Sequence, residues 1–184
     1  DLDTSRGLGD VYKRQISNAW DADAKNVWIT IDKASSSFVI KDDGIGMDSD
    51  DFQNKFLRIG YSKRSDGSVK SAAERPFIGA KGIGKLALLS CADTISIYSK
   101  KHDGEYIGGV IENSGLDNAI KSDLTPDKYP LKAADLSKIS AHSDNHNHGT
   151  IILFENLNER LRNSEAHLRK LLAMGFRFTL LDKD

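Results

Sequence analysis

What this chain lacks narrows it first. Its 184 residues include one cysteine, Cys91, so no internal disulfide can form and a reducing compartment is the natural setting. It has no apolar run near the roughly 18 residues that would read as a membrane span, and no stretch laid out like a signal peptide. A cytoplasmic location with no membrane partner is therefore expected. Nor is there an excess of charge: 26 Lys and Arg against 27 Asp and Glu give a formal net charge of -1. That balance supplies no global attraction to nucleic acid or to an anionic bilayer. Internal repeats are absent too. What remains is 39% hydrophobic and 29% charged, the mixture of an ordinary soluble domain, at a length that buries one proper core.

A glycine-rich run raises the functional question. "FIGAKGIGKLAL" (77–88) sets Gly79, Gly82 and Gly84, with Lys81 and Lys85, just ahead of an apolar helical pattern. Glycine turns that open a helix gather free N–H groups and the positive end of the dipole, which suits a phosphate. The P-loop pattern nearly fits, but Leu86 follows Lys85 where Ser or Thr must meet magnesium. Gly82, Gly84 and Ala87 satisfy the dinucleotide pattern, yet both motifs need a buried strand directly before the glycines. "SVKSAAERP" precedes them, polar and ending in proline. A surface turn without a ligand is the plain alternative.

Along the chain, "DLDTSRGLGDVYKRQ" (1–15) shows no apolar face at helical or strand spacing, and Gly7 and Gly9 weaken a helix there. From Ile16 the texture changes. "ISNAWDADA" is helix-compatible, "NVWITI" (26–31) reads as a strand, and "SSFVIKDDG" (36–44) as its hairpin partner. A helix is expected after Asp48 or Ser49 as cap, with Phe52, Phe56 and Leu57 on one face. "KLALLSCA" reads as a buried helix, "DTISIYSKK" and "EYIGGVIEN" as strands joined at "HDGE", and "GTIILFENL" as a last strand. "NERLRNSEAHLRKLLAMG" closes the series as an amphipathic helix capped by Gly175. Two polar stretches stand apart. Residues 60–78 form a long connection of the kind that is usually functional, and the region up to about 148 is poorly patterned. The fold class this implies is α+β, with a mixed, mainly antiparallel sheet and helices packed on one face.

Three stretches, "ISNAWDADA", "DDGIGMD" and "GAKGIGKLA", follow one another in order, with "GTIILFENL" behind them. Together they resemble the ATP-binding domain of the GHKL superfamily: DNA gyrase B, Hsp90-like chaperones, histidine kinases and MutL-type repair proteins. The motif style is closest to the Hsp90-like and MutL-like bacterial ATPases. The resemblance covers residues 16–181 and implies a two-layer α/β sandwich of the Bergerat type that binds ATP or ADP with Mg2+. In the family the first motif's asparagine binds magnesium through its carbonyl oxygen. Asn18 holds that position, and a hard oxygen ligand suits this cation; a helix cap is the bland alternative. Asp21, three residues on, shares its helix face and would help shape the site. Asp42 stands where the family's aspartate accepts the adenine amino group, with Gly44 and Gly46 allowing close backbone approach to the base. A carboxylate there selects adenine over guanine, whose O6 presents an acceptor. Met47 would wall the base, while Asp43 reads as a turn residue. Gly79, Gly82 and Gly84 would bring N–H groups to the phosphates, helped by Lys81 or Lys85. Residues 60–78 would be the lid that orders over ATP. Gly149 and Thr150 match a Gly-Thr pair whose threonine hydroxyl helps hold the aspartate; a plain strand residue is the alternative for Thr150.

One departure bears on hydrolysis. Family ATPases carry a glutamate four residues before the magnesium asparagine, as general base on the attacking water. Arg14 stands there, and arginine accepts no proton at neutral pH. No catalytic residue is identifiable on this reading. The run "RGLGDVYKRQ" resembles an artefactual end of a conceptual translation, so residues 1–15 are expected to be non-native. "RFTLLDKD" ends where relatives continue into a transducer domain, so that domain is expected to lie outside the chain. The resulting expectation is an Mg·ATP-binding domain whose lid closure drives conformational switching, and an ATP-dependent homodimer, in a larger hydrolase. The DNA or protein client stays open. A non-hydrolysing interaction module and a sensor histidine kinase domain are the alternatives; Asp21 stands where kinases commonly carry lysine. His142, His146 and His148 in "HSDNHNH" read as a solvated loop, with a metal site as the alternative.

Overall fold

The computed structural model describes residues 4–56, 70–77, 92–112, 132–157 and 169–170. Helix α1 (Thr4–Asp21) leads into strands β1 (Val27–Asp32) and β2 (Ser37–Asp42), then a π-helical turn at Asp51–Phe56. Strands β3 (Ala92–Lys100) and β4 (Ile107–Glu112) follow. The short strand β5 (Lys132–Ala133) leads to a 3-10 turn at Leu136–Ile139, one α turn at Ser140–Ser143, and β6 (Gly149–Leu157). The strands form one sheet in the order β1-β2-β6-β3-β4-β5, and every described pairing is antiparallel. The fold is α+β. Among the described residues no helix is long and apolar enough to cross a membrane.

Alternate side chains of a strand point to opposite faces, and this sheet uses both. Phe38 and Ile40 of β2, Ile95 and Ile97 of β3, and Ile152 and Phe154 of β6 form the larger core with Val11 and Tyr12 of α1. Phe38 stacks on Phe154 with centroids 4.1 Å apart, and the Tyr12 ring tilts against Phe38 at 5.2 Å. On the opposite face Val39, Tyr98, Ile151 and Leu153 pack with Ile139 of the 3-10 turn. Edge strand β1 alternates as its sequence predicts: Val27, Ile29 and Ile31 lean on the core, while Trp28, Thr30 and Asp32 face water.

Three expectations change here. Within the segment 1–15, residues 11–15 do carry a packing face. One helix runs through the expected break at Ile16, and Val11, Tyr12, Gln15 and Ala19 are all buried along it. Packing of that stripe outweighs the poor propensity of Gly7 and Gly9, as tertiary contacts commonly do. The helix expected after Asp48 is a π-helical turn, in which Asp48 accepts the Asp51 N–H at 2.8 Å and Phe52 is buried. The poorly patterned region before residue 148 contributes β5 and the two short turns, elements too brief for any periodicity to show. Of the expected helix "KLALLSCA" only Ala92 is described, and it opens β3; the helix expected up to Gly175 lies outside the described residues, save that Arg169 and Lys170 are helical.

Candidate functional site

The chain's last described strand, β6, is inserted between β2 and β3, and this topology builds the site. It sets Asp42, the final residue of β2, directly opposite Thr150. Asp42 Oδ1 accepts the Gly44 N–H at 2.9 Å and the Thr150 N–H at 3.3 Å. Among the described residues no donor meets Oδ2. Protein atoms crowd this carboxyl although part of the residue stays accessible. Burial pushes its pKa up from 3.8 to about 6, against the pull of the two N–H donors and the nearby His148; Asp43 pushes the same way as burial.

The turn that follows is fixed peptide by peptide. His146 Nε2 donates to the Asp42 carbonyl at 2.8 Å, and His148 Nδ1 donates to the Gly44 carbonyl at 2.6 Å. The Ile45 N–H reaches the Ala22 carbonyl at 2.9 Å, which docks the end of α1 on the turn. A side chain at Gly44 would begin 2.9 Å from Ala22 Cβ. Gly46, at φ 67°, would set a Cβ 1.9 Å from the Lys100 carbonyl oxygen, so only glycine fits. These glycines therefore bring the turn against α1 and β3, where the sequence reading assigned them to the base. Met47 is half-buried against the main core, and its N–H donates to Ser99 Oγ at 3.0 Å.

Ser99 is fully buried and saturated. Its hydroxyl donates to the Gly149 carbonyl at 2.9 Å, so it accepts from Met47 and from Thr150 Oγ1, 3.0 Å away. Thr150 thus reaches Asp42 through its backbone N–H, while its hydroxyl is bound to Ser99; the expected hydroxyl contact is replaced. Asp43 behaves as the turn residue it reads as. It accepts N–H bonds from Lys25 at 2.8 Å and Asn26 at 2.7 Å, and the Asn26 side chain at 2.9 Å. Burial opposes its charge, but these donors win and hold its pKa below the ordinary value.

At the other end of the site α1 carries Arg14, Asn18 and Asp21. Asn18 is exposed, and its amide nitrogen faces Gln15 Oε1 at a long 3.5 Å. The nitrogen is thereby turned to protein, and the carbonyl oxygen has no donor among the described residues. That is the oxygen a magnesium ion would take, so the donor chemistry fits the cation. Arg14 is half-buried one helical turn earlier, and Asp21 is buried at the helix end. Of the stretch expected as a lid, residues 70–77 lie against this same helix end. Trp20 Nε1 donates to the Pro76 carbonyl at 3.1 Å, Arg75 Nη1 to the Ala24 carbonyl at 2.7 Å, and the Arg75 guanidinium sits 4.7 Å over the Trp20 ring. Ser71 Oγ and the Ala73 N–H both bond the Asp23 carboxylate. Gly79, Lys81, Gly82, Gly84 and Lys85 lie outside the described residues.

The sequence reading missed His146, His148, Tyr106 and Ser99. His146 is buried, with Nδ1 2.7 Å from Tyr106 Oη, and so is no member of a solvated loop. No cluster of metal-ligating side chains occurs among the described residues. Their place follows from strand pairing: in an antiparallel pair that sets Thr150 against Asp42, the residues just before Gly149 flank the turn after Asp42.

Comparison with known proteins decides the family. The family model for the histidine kinase-, DNA gyrase B-, and HSP90-like ATPase matches residues 11–150. The chain belongs to this family. A putative type II restriction enzyme, HgiDII, from Herpetosiphon aurantiacus is 36% identical over 176 residues, covering 94% of this chain and 26% of that protein. A mitochondrial TNF receptor-associated protein 1 homolog from Dictyostelium discoideum is 33% identical over 91 residues, covering 47% of this chain and 13% of that protein. The chain thus spans about a quarter or less of the curated relatives it matches. Within this GHKL family an ATP-binding domain is what the matched region provides, and the α+β sheet is its fold. The match begins at Val11, inside the segment whose packing face the sequence reading had denied.

Proposed function

We propose that this chain is the Mg·ATP-binding domain of a larger nucleotide-switched protein, with Asp42 reading the adenine and Asn18 holding the cation. The observation that carries this reading is the Asp42 carboxyl: desolvated, with Oδ1 tied by two N–H groups and Oδ2 meeting no donor among the described residues. An adenine amino group supplies such a donor; guanine offers O6 at that place and is disfavoured. Magnesium, when bound, would neutralise charge on the phosphates. The glycines and lysines of 79–85 are proposed to meet those phosphates, and residues 60–78 to order over them. Nucleotide state then reads out as conformation, and in the parent protein as dimerisation. Hydrolysis requires a base one turn before Asn18, and Arg14 supplies none. Of the two relatives, the one matched along nearly the whole chain is named as a restriction enzyme, so a DNA-directed parent is the client this reading favours.

The test is calorimetry with Mg·ATP on the chain and its Asp42→Asn variant. The amide keeps an acceptor for the two N–H groups but turns an N–H donor toward the adenine amino group. Affinity should fall by about 10- to 100-fold, the scale of a lost charged hydrogen bond. Equal affinity in both proteins would sink the base-pocket assignment.

A further inference from the structure

Behind Asp42 stands a pair of side chains outside the nucleotide contacts proposed above. The His146 ring is buried between the end of β2 and Tyr106, which lies just before β4. Its Nε2 is 2.8 Å from the Asp42 carbonyl oxygen, an atom that can only accept, so Nε2 carries the proton. Its pKa is lowered, first by burial, which outweighs the pull of the Asp42 carbonyl; the charges of Lys41, Lys100 and His148 push the same way as burial, toward the neutral ring. Nδ1 is then an acceptor, and the Tyr106 hydroxyl 2.7 Å away must be its donor. The two rings are nearly parallel, at 15° with centroids 5.9 Å apart, and the Lys100 ammonium lies 4.8 Å over the Tyr106 ring. Gly149 makes room for the arrangement. At φ 120°, a Cβ there would fall 2.0 Å from the Asp42 carbonyl oxygen and 2.9 Å from His146 Nε2.

We infer that the Tyr106–His146 pair is a positioning device for base recognition: it fixes the peptide of Asp42, and through it the direction of the carboxylate, and so sets the preference for adenine over guanine. This rests on the reading of Asp42 as the adenine acceptor. The chain of control is short. The Tyr106 hydroxyl selects the tautomer that keeps the proton on Nε2, that proton holds the Asp42 carbonyl, and the Asp42 side chain is one bond from the same Cα. His148 does the equivalent for the Gly44 carbonyl, but from a less buried position with its ring 5.7 Å from that of the exposed His102. Without the Tyr106 hydroxyl the proton is free to shift to Nδ1, which would set a bare Nε2 against the carbonyl oxygen.

The experiment is calorimetric titration of Mg·ATP and Mg·GTP into the chain and its Tyr106→Phe, His146→Leu, His146→Gln and Asp42→Asn variants, each first checked for cooperative melting. The decisive quantity is the ATP-to-GTP affinity ratio, which a merely structural role would leave alone. Tyr106→Phe should lower the ratio about three- to tenfold, the scale of one hydrogen bond, and His146→Leu by about tenfold or more. His146→Gln, whose amide N–H can meet the same carbonyl, should recover most of it. A ratio within twofold of the parent in His146→Leu overturns the inference while leaving Asp42 as base reader. If that variant fails to melt cooperatively, an unchanged ratio in Tyr106→Phe overturns it instead. An unchanged ratio in Asp42→Asn removes the base pocket itself, and the inference with it.

Discussion

The two ends of this site are built on different principles. At the β2–β6 end Asp42 sits in a closed set of hydrogen bonds: two N–H groups on one carboxylate oxygen, and His146 and His148 on the carbonyls either side of Asp43. At the α1 end Asn18 is exposed, and the side-chain bond it makes among the described residues, to Gln15, is long. The first end is organised before any ligand arrives, at the cost of desolvating a carboxylate. A shift from 3.8 to about 6 corresponds to about 3 kcal/mol of disfavour for its charged form. The second end is left to be organised by the ligand it receives. On the proposed reading, base identity would be read by a turn already held in place, and the cation would be met by an exposed side chain.

The largest effect expected on this contrast comes from giving the α1 end the group it lacks. Position 14 lies in a helix whose neighbours Val11, Tyr12 and Gln15 are buried, one turn before Asn18. The packed helix gives a new carboxylate at that position a fixed support. Steady-state ATP turnover in Arg14→Glu should rise by about 10²-fold over the parent, the lower part of the range for positioned proton transfer. Turnover in the parent chain already equal to the variant's would show that another residue activates water, and Asp21 would be examined first.

Next in size is pH, which acts on the rigid end. On the proposed reading an adenine amino group needs the ionised form of Asp42, so affinity for ATP should fall by about fivefold between pH 6 and pH 5. Stability carries the opposite sign. The folded-state pKa of Asp42, about 6, exceeds its ordinary 3.8. Its contribution is therefore complete below about pH 4 and is lost as pH rises through 6. His146 works the other way: its pKa lies below 6.5, so its share is present above that value and is lost on acidification. Asp42→Asn isolates the two. Melting temperature against pH should lose its decline between pH 4 and 6 in the variant, and an unchanged decline would assign it to other carboxylates.

Asn18→Ala comes third and separates the ends outright. Removing one neutral oxygen ligand should weaken Mg·ATP by about fivefold, while affinity measured in excess chelator stays at the parent's value. Asp42→Asn should lower both alike. A chelator-independent loss in Asn18→Ala would return that residue to the plain role of a helix-end side chain.

The same contrast explains what could be read from sequence. The strands were legible because apolar residues alternate with polar ones along 27–32 and run together in short β-branched and aromatic stretches within 37–42 and 149–157, and the Asp42–Gly46 turn because its glycines are spaced by need. Gly46 is dictated by the Lys100 carbonyl and Gly149 by the Asp42 carbonyl, though both requirements arise from strand neighbours far away in sequence. His146 and Tyr106 were not legible because their meaning depends on strand order. Only the insertion of β6 beside β2 converts a polar loop into the wall behind Asp42. Helix α1 was misjudged because Gly7 and Gly9 speak to local propensity, and the burial of Val11 and Tyr12 is a tertiary fact.

The smallest effect is expected where the segment 70–77 meets α1. Arg75 gives one N–H to the Ala24 carbonyl and covers the Trp20 ring, and Trp20 itself holds the Pro76 carbonyl. Arg75→Ala removes one hydrogen bond and one partly exposed cation–π contact, together about 1–2 kcal/mol. Because this anchor lies at the α1 end, its loss should speed amide exchange in residues 70–77 while changing ATP affinity by no more than about twofold, since the proposed base contact lies at the other end. Exchange in the turn 42–46 should stay as slow as in the parent. If Arg75→Ala instead loosened that turn as well, the Ile45–Ala22 bond would be transmitting motion from one end to the other, and the two could no longer be treated as separately built.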